Sequence, residues 1–366
     1  MNIVDVQIIT IALLVAYACT LPGIFLTLRG MALMSDAISH AILPGIVIMF
    51  LCTHNLHSPF LTIAASCTGI VTVLLTESLI ATKCLKEDAA IGLVFPLFFS
   101  VGIILICLYA RTVHLDIDMV IMGEIIFAPF DTLYIHGYPA GPHALWNMIV
   151  ILLINSLFVA LCYKELQITT FNKGLASALG FSPLIIQYIL MCLTSITCVG
   201  TFDIVGSIVV VALIIGPAST AYLISRTLHR MIHISFVAAT LSVLLGYIFA
   251  YTLDVSIAGS IATMNGLLFL SALLFAPKRG LCAQYISNTK ERKQHAMRLL
   301  CSYIKYHNAC TFDQLADDMQ WSHKKCSGIV QYALKEKFIL QHENKLIVSK
   351  DGLTFLKHAL PDNAIV

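Results

Sequence analysis

The stretch Leu28-Arg29-Gly30-Met31-Ala32-Leu33-Met34-Ser35-Asp36-Ala37-Ile38-Ser39-His40-Ala41-Ile42-Leu43-Pro44-Gly45 sets a carboxylate and an imidazole inside an apolar run long enough to enter a membrane. Asp36 and His40 are one helical turn apart, so they project from one face, with Ser35 and Ser39 as a parallel polar row. An Asp near a bilayer centre costs about 2.5 to 3.5 kcal/mol on insertion scales, so the stripe is expected to face protein, water or an ion. Pro44 lacks an N–H and its ring crowds the carbonyl of His40, which predicts a kink, and Gly45 permits close backbone approach beside the polar groups. Carboxylate oxygen and imidazole nitrogen suit divalent manganese, iron or zinc, and no Cys lies between Arg29 and Leu51 to soften the site. Two ligands do not fill a coordination sphere; two such helices meeting across a dimer axis would bring two Asp and two His together. From the pair alone, a structural hydrogen bond between packed helices explains Asp36 and His40 equally well.

The rest of the chain sets the class. With 366 residues, 58% hydrophobic and 11% charged, it carries too few charges for an ordinary soluble domain and reads as a polytopic membrane protein. The net charge of +2 decides little, because the placement of Lys and Arg matters more than their sum. The 12 cysteines are scattered, many in apolar runs (Cys19, Cys67, Cys107, Cys162, Cys198), and read as small core residues and not a disulfide framework. No basic region precedes the first apolar run, which is expected to remain as a helix and not to be cleaved.

Apolar segments of about 17 to 22 residues, the length a spanning helix needs, fall at Ile8–Leu28, Leu33–Leu51, Phe60–Ala81, Ile91–Ala110 and Leu145–Tyr163. Four more fall at Leu184–Gly200, Val205–Ser225, His233–Tyr251 and Ser260–Ala276, which makes nine. Arg29, Lys83, Lys86, Lys164, Lys173, Arg226, Arg230, Lys278 and Arg279 all fall in alternate loops, whereas the other loops hold only Arg111. The positive-inside rule then puts the N-terminus outside and the C-terminus in the cytoplasm. The longest outer loop, Arg111 to His143, carries His114, Asp116, Asp118, Glu124, Asp131, His136 and His143, which could funnel cations or simply be solvated. Its Pro129, Gly137, Pro139, Gly141 and Pro142 argue against regular structure in its second half. Glu77, near the inner end of the third span, is expected to be paired or to face water.

The inner loop from Lys164 to Pro183 contains Leu175, Ala176, Ala178 and Leu179, helix formers ended by Gly180 at a C-cap. Such a short exposed helix needs a partner surface or a lipid interface. In the seventh span Gly216-Pro217 is expected to break or bend the helix, with Ser219 and Thr220 satisfying backbone that Pro217 leaves open. After Lys278 the chain turns polar. Helices at His295–Tyr306, Thr311–Met319 and Ser322–Lys337, strands at Phe338–Leu340 and Lys345–Val348 around Glu343-Asn344, and a helix at Asp351–Leu360 give the order of a winged helix-turn-helix. Lys324 and Lys325 near the start of its third helix suit phosphate or acidic-protein contact. Cys301, His307, Cys310, His323 and Cys326 lack zinc-finger spacing and are expected to be core or solvated residues.

Over roughly residues 8 to 280 the chain resembles the permease subunits of bacterial ABC importers for manganese, zinc and iron. The landmarks are Leu28-Arg29, Ser35-Asp36-Ala37-Ile38-Ser39-His40-Ala41, Leu43-Pro44-Gly45 and Glu87-Asp88-Ala89-Ala90-Ile91-Gly92. Further ones are Phe171 to Leu179-Gly180, Val205-Gly206, Ala212-Leu213-Ile214-Ile215, Pro217-Ala218, and Asp254 before Gly259. The resemblance implies an all-α polytopic fold of the type II importer kind, forming a dimer with an identical or paralogous second permease. It further implies two cytoplasmic ABC ATPase subunits and an extracytoplasmic metal-binding protein as partners. Asp36 and His40 would be intramembrane ligands of the transported ion, with no permanently bound cofactor. Lys173, Leu175, Ala176, Ala178, Leu179 and Gly180 would form the helix that docks on the ATPase. The chain lacks a Gly-x-x-x-x-Gly-Lys phosphate loop, so ATP hydrolysis is expected from a separate subunit and the permease itself is not an enzyme.

The expected domains are a permease at 1–280 and a winged-helix-like cytoplasmic domain at 281–366, in a multi-pass protein of the bacterial cytoplasmic membrane in contact with its lipid. The tail departs from permeases that end near the last span and is similar to the DNA-binding domain of metal-dependent repressors. Beside a membrane it is expected to dock on the ATPase, so nucleic acid is not among the expected partners. Two rival functions stay open: a permease for a metal chelate such as haem, siderophore or cobalamin, and a proton-coupled secondary metal carrier using Asp36, His40 and Glu77.

Overall fold

The computed structural model describes residues 3–54, 59–109, 125–135, 138–277, 280–307, 310–342 and 345–357. His114, Asp116, Asp118, Glu124, His136, Lys278, Arg279 and the Glu343-Asn344 turn lie outside them. The chain divides into two compact units, Met1–Arg279 and Gly280–Val366.

The first unit is helical. Its elements are α1 (Ile3–Leu28), α2 (Met34–Ala41), α3 (Leu43–Thr53), α4 (Pro59–Ala81), α5 (Glu87–Tyr109), α6 (His143–Leu161), α7 (Tyr163–Phe171) and α8 (Lys173–Ala178). They continue with α9 (Pro183–Val205), α10 (Ser207–Ile224), α11 (Leu228–Leu253) and α12 (Ile257–Phe275). Among the described residues nine spans are long and apolar enough to cross a membrane, with α2 and α3 together forming the second, Met34–Thr53. Membrane segments must satisfy their own backbone, and the hydroxyls inside them turn back onto their own helix: Thr68, Thr72 and Thr76 each donate to the carbonyl four residues earlier, at 2.8 to 2.9 Å.

α1 is the central helix. It packs against α6, α9, α10 and α11 and buries most residues from Ile11 on, without interruption from Ala18 to Leu26. Its closest approach is at Gly23, where an added Cβ would stand 2.0 Å from the Ile214 carbonyl oxygen of α10, so only glycine lets these backbones meet. Two amides fasten the bundle. Asn155 of α6 donates to the Ala18 carbonyl at 3.1 Å and to Thr197 Oγ1 at 2.8 Å. Asn265 of α12 donates to the Ala212 carbonyl at 2.5 Å and accepts from Ser242 at 3.3 Å. Both are buried in apolar surroundings, where an unpartnered amide would be costly.

The second span divides at Ile42, between the His40 carbonyl and Pro44, and Pro44 falls in the first turn of α3, a position that needs no N–H from it. Gly45 serves packing, because a Cβ there would meet Thr68 Oγ1 at 2.1 Å and the Ala64 carbonyl at 2.6 Å on α4. Gly216-Pro217 does not interrupt α10, which runs unbroken to Ile224 while Thr220 Oγ1 donates to the Gly216 carbonyl at 2.8 Å. Gly216 instead makes room for the Asn265 side chain.

The second half of the outer loop is regular after all. Thr132–Ile135 (β1) and Tyr138–Pro142 (β2) pair antiparallel, Ile135 opposite Tyr138 and Thr132 opposite Pro142, with an irregularity between Thr132 and Tyr134. In a two-stranded ribbon both strands are edges, so proline is tolerated while Thr132, Tyr134 and Ile135 supply strand preference.

The second unit comprises α13 (Leu281–His307), α14 (Phe312–Asp318), α15 (His323–Lys335), an antiparallel pair β3 (Ile339–His342) and β4 (Lys345–Val348), and α16 (Lys350–Lys357). Its core gathers Leu300, Ile304, Leu315, Val330, Ile339 and Leu346, with Phe338 stacked on Phe355 at 4.8 Å.

Candidate functional site

α2 is eight residues long and packs among α4, α5, α9 and α10. It buries Met34, Ser35, Ala37, Ile38, Ser39 and Ala41. The two side chains left open are Asp36 and His40, 47% and 36% exposed, with Asp36 Oδ1 3.6 Å from His40 Nε2. The polar row read beside them does not share their face: Ser35 donates to the Ala32 carbonyl at 3.0 Å and Ser39 to the Ser35 carbonyl at 2.8 Å, so both hydroxyls are spent on the backbone. The His40 ring leans on α5, with centroids 5.8 Å from Phe99 and 6.1 Å from Phe95. That contact holds the imidazole in place on an otherwise open face. Donor atoms 3.6 Å apart are spanned by a metal ion about 2.1 Å from each at an angle of about 120°, which needs no rearrangement of the pair. Further ligands must come from elsewhere, since among the described residues no three His, Cys, Asp or Glu side chains converge on a metal position.

At one end of the bundle, Arg29, directly after α1, reaches across to α7. Its Nε donates to Thr170 Oγ1 at 3.2 Å and one terminal nitrogen donates to Thr169 Oγ1 at 2.9 Å. Burial lowers the guanidinium pKa and the nearby Glu77 charge partly restores it. Glu77 is buried and accepts a hydrogen bond from Gln187 of α9, whose amide also contacts Met31 Sδ at 3.5 Å. From the sequence Arg29 serves as a topology marker and Glu77 is expected to be paired or to face water. The structure joins them to the segments flanking α8.

α8 follows at once. Asn172 caps it by accepting from the Leu175 N–H at 3.0 Å. Gly180, at φ +85°, ends it, with the Phe181 N–H bonded to the Ala176 carbonyl and the Gly180 N–H to that of Ser177, a Schellman ending that a left-handed glycine permits. Of the residues expected to dock on a partner, Lys173, Leu175, Ala178, Leu179 and Gly180 are exposed, and Ala176 is buried beneath them. Leu175 and Leu179 are 50% and 57% exposed beside a cleft of about 450 Å³ lined by Lys173, Ser177, Phe181, Pro183 and Gln187.

In the second unit Cys301, Cys310 and Cys326 are buried in the core, and burial pushes the thiols up, Cys301 to about 11. They are protonated packing residues, while His307 and His323 are exposed.

The model of the ABC 3 transport family matches residues 4–276. The manganese transport system membrane protein MntD of Bacillus subtilis is 41% identical over 292 residues, 80% of this chain and 99% of that protein. The zinc transport system membrane protein TroD of Treponema pallidum is 37% identical over 361 residues, 97% of this chain and 98% of TroD, so that similarity includes the C-terminal unit. Among solved structures, PsaBC from Streptococcus pneumoniae in complex with Fab superposes with a TM-score of 0.60 at 29% identity, covering 74% of this chain and 91% of that one.

Proposed function

The chain belongs to the ABC 3 transport family, and from that premise we propose that it is the membrane-spanning permease of an ATP-binding cassette importer that carries a divalent manganese, zinc or iron ion into the cell. The carrying observation is α2: six of its residues are buried and the open two are a carboxylate and an imidazole at metal-spanning separation. An exposed Asp–His pair in a membrane span is tolerated if it faces a partner and an aqueous ion path and not lipid. A second permease copy or paralogue, bringing its own Asp and His, would complete the coordination sphere and turn the open face inward. A mixed oxygen and nitrogen set binds a dehydrating cation firmly enough to strip water and weakly enough to let it go.

Two ATPase subunits supplied in trans would dock on Leu175, Leu179 and the cleft beside them. Arg29 gives their motion a route: it ties the last turn of α7, next to α8, to the link between α1 and α2. The relatives MntD and TroD, named for manganese and zinc transport, support this reading, as does a donor pair too tight for a bulky chelate. The clustering of Arg29, Lys83, Lys86, Lys164, Lys173, Arg226 and Arg230 in alternate loops supports a cytoplasmic α8 end, and an external metal-binding protein would feed the other end. The C-terminal unit, with three helices, a two-stranded ribbon and a last helix in winged-helix order, would act as a cytoplasmic module that contacts the ATPase.

The test is radiolabelled metal uptake in cells carrying His40→Ala. Uptake should vanish while the permease still co-purifies with its ATPase. Normal uptake would refute the ligand assignment, and uptake that persists with an inactivated ATPase would refute the importer reading.

A further inference from the structure

A second set of metal-ligating side chains stands apart from Asp36 and His40. α11 opens Leu228-His229-Arg230-Met231-Ile232-His233, which places two histidines one turn apart on a single face. Both are exposed. Their rings stand edge to face with centroids 4.5 Å apart at 86°, and the two Nε2 atoms are 3.1 Å from each other. At 3.1 Å one ring donates an Nε2–H hydrogen bond to the Nε2 of the other, the roles set by the tautomer. The same convergence of two exposed Nε2 edges on one point is what two imidazoles need to share a cation, which would replace the bridging proton. A metal ion about 2.1 Å from each nitrogen would subtend about 95° across a 3.1 Å separation, within the range of four- to six-coordinate sites. Histidines four apart on a helix are also the pairing that zinc enzymes use.

We propose that His229 and His233 form a second metal site, taking a borderline divalent cation of the zinc type through two imidazole nitrogens, with water filling the remaining positions. An all-nitrogen pair favours zinc over manganese by the usual order of divalent affinities, so this site would take zinc whichever ion Asp36 and His40 carry. His229 lines a cavity of about 740 Å³ with Tyr163, Lys164 and Glu165 of α7 and with Leu21 of α1. Lys164 and Glu165 offset each other's charge on that wall, and α7 leads directly to α8. Metal binding rests on the imidazole geometry alone; that the site meets metal on the cytoplasmic side rests on the orientation proposed above.

The experiment is equilibrium dialysis of the purified full-length protein against zinc chloride at neutral pH, in an Asp36→Asn/His40→Ala background that silences the first pair. Adding His229→Ala/His233→Ala should remove one bound zinc per chain, and either single substitution should weaken that site at least tenfold. Arg230→Ala, an exposed change between the two ligands, should leave binding intact, and all variants should keep their helical circular-dichroism signal. Unchanged zinc stoichiometry in the double histidine variant overturns the site, and so does an equal loss in Arg230→Ala. Loss of one zinc here alongside normal metal uptake in His40→Ala cells would leave this site standing and sink the Asp36–His40 ligand assignment instead.

Discussion

Replacing Arg29 by Ala removes both hydrogen bonds that tie the end of α1 to Thr169 and Thr170. Hydrogen bonds from a charged donor contribute about 1.5 to 3 kcal/mol each. Arg29 is half-buried, so water recovers part of that loss, and we expect the last turn of α7 to be released by about 2 to 3 kcal/mol. At about 1.4 kcal/mol per tenfold, local opening of this turn and of α8 beyond it rises about 30- to 150-fold. Hydrogen–deuterium exchange on the purified permease reads this directly, because the amides of Leu166, Asn172, Leu175 and Ala176 all take part in hydrogen bonds of this segment. Their exchange should quicken by that factor while amides of α11 and α12 keep their wild-type rates. Arg29→Lys, whose ammonium reaches one hydroxyl and not two, should give about half the free-energy effect, or about 5- to 12-fold. Unchanged exchange across residues 166–178 in Arg29→Ala would refute the clamp, and with it the route by which α8 acts on α2.

Other outcomes follow from the same geometry. Leu175→Asp/Leu179→Asp, at two exposed apolar positions, should leave the permease's thermal unfolding unchanged and abolish co-purification with the ATPase; recovery of the intact complex would show that docking lies elsewhere. Gly23→Ala sets a Cβ 2.0 Å from the Ile214 carbonyl, so α1 and α10 must part by about 1 Å at a cost of about 1 to 3 kcal/mol. A lowered unfolding temperature in detergent checks that cost, and an unaltered one contradicts the packing. In the C-terminal unit Tyr303 donates its hydroxyl to the Asp318 carboxylate, and its pKa is pushed up to about 12 by that bond first and by desolvation second. A raised folded-state value makes the bond's contribution complete below about pH 10, the unfolded tyrosine value, and lost as pH climbs through about 12. An ultraviolet difference titration of the full chain against Tyr303→Phe should show this tyrosine ionising above the ordinary range.

The spans were legible in the sequence because a bilayer demands some twenty apolar residues in a row, and that demand overrides subtler preferences. Asp36 and His40 were legible for the converse reason: a carboxylate within hydrocarbon stands out against its surroundings. Signals that depend on distant segments were not legible. Arg29 meets Thr169 from 140 residues away, and Asn155 meets the Ala18 carbonyl from 137, so neither appears in any local window. An isolated Asn within an apolar run was the cue available for Asn155 and Asn265. Pro44 was legible as a punctuation mark in the second span, but the division itself sits two residues earlier at Ile42, so that the proline opens α3 as a first-turn residue. The outer hairpin misled because its prolines and glycines read as breakers of regular structure, whereas both strands of a two-stranded ribbon are edges that tolerate proline.

Whether Asp36 and His40 hold the cargo between two permeases is read from an anomalous-scattering map of crystals of the permease dimer with its ATPase, grown in manganese. One peak should stand on the dimer axis within about 2.3 Å of the Asp36 carboxylate and His40 Nε2, and it should be lost in His40→Ala. A fully occupied manganese peak elsewhere in the passage, with Asp36 and His40 bonded only to protein, would contradict that placement.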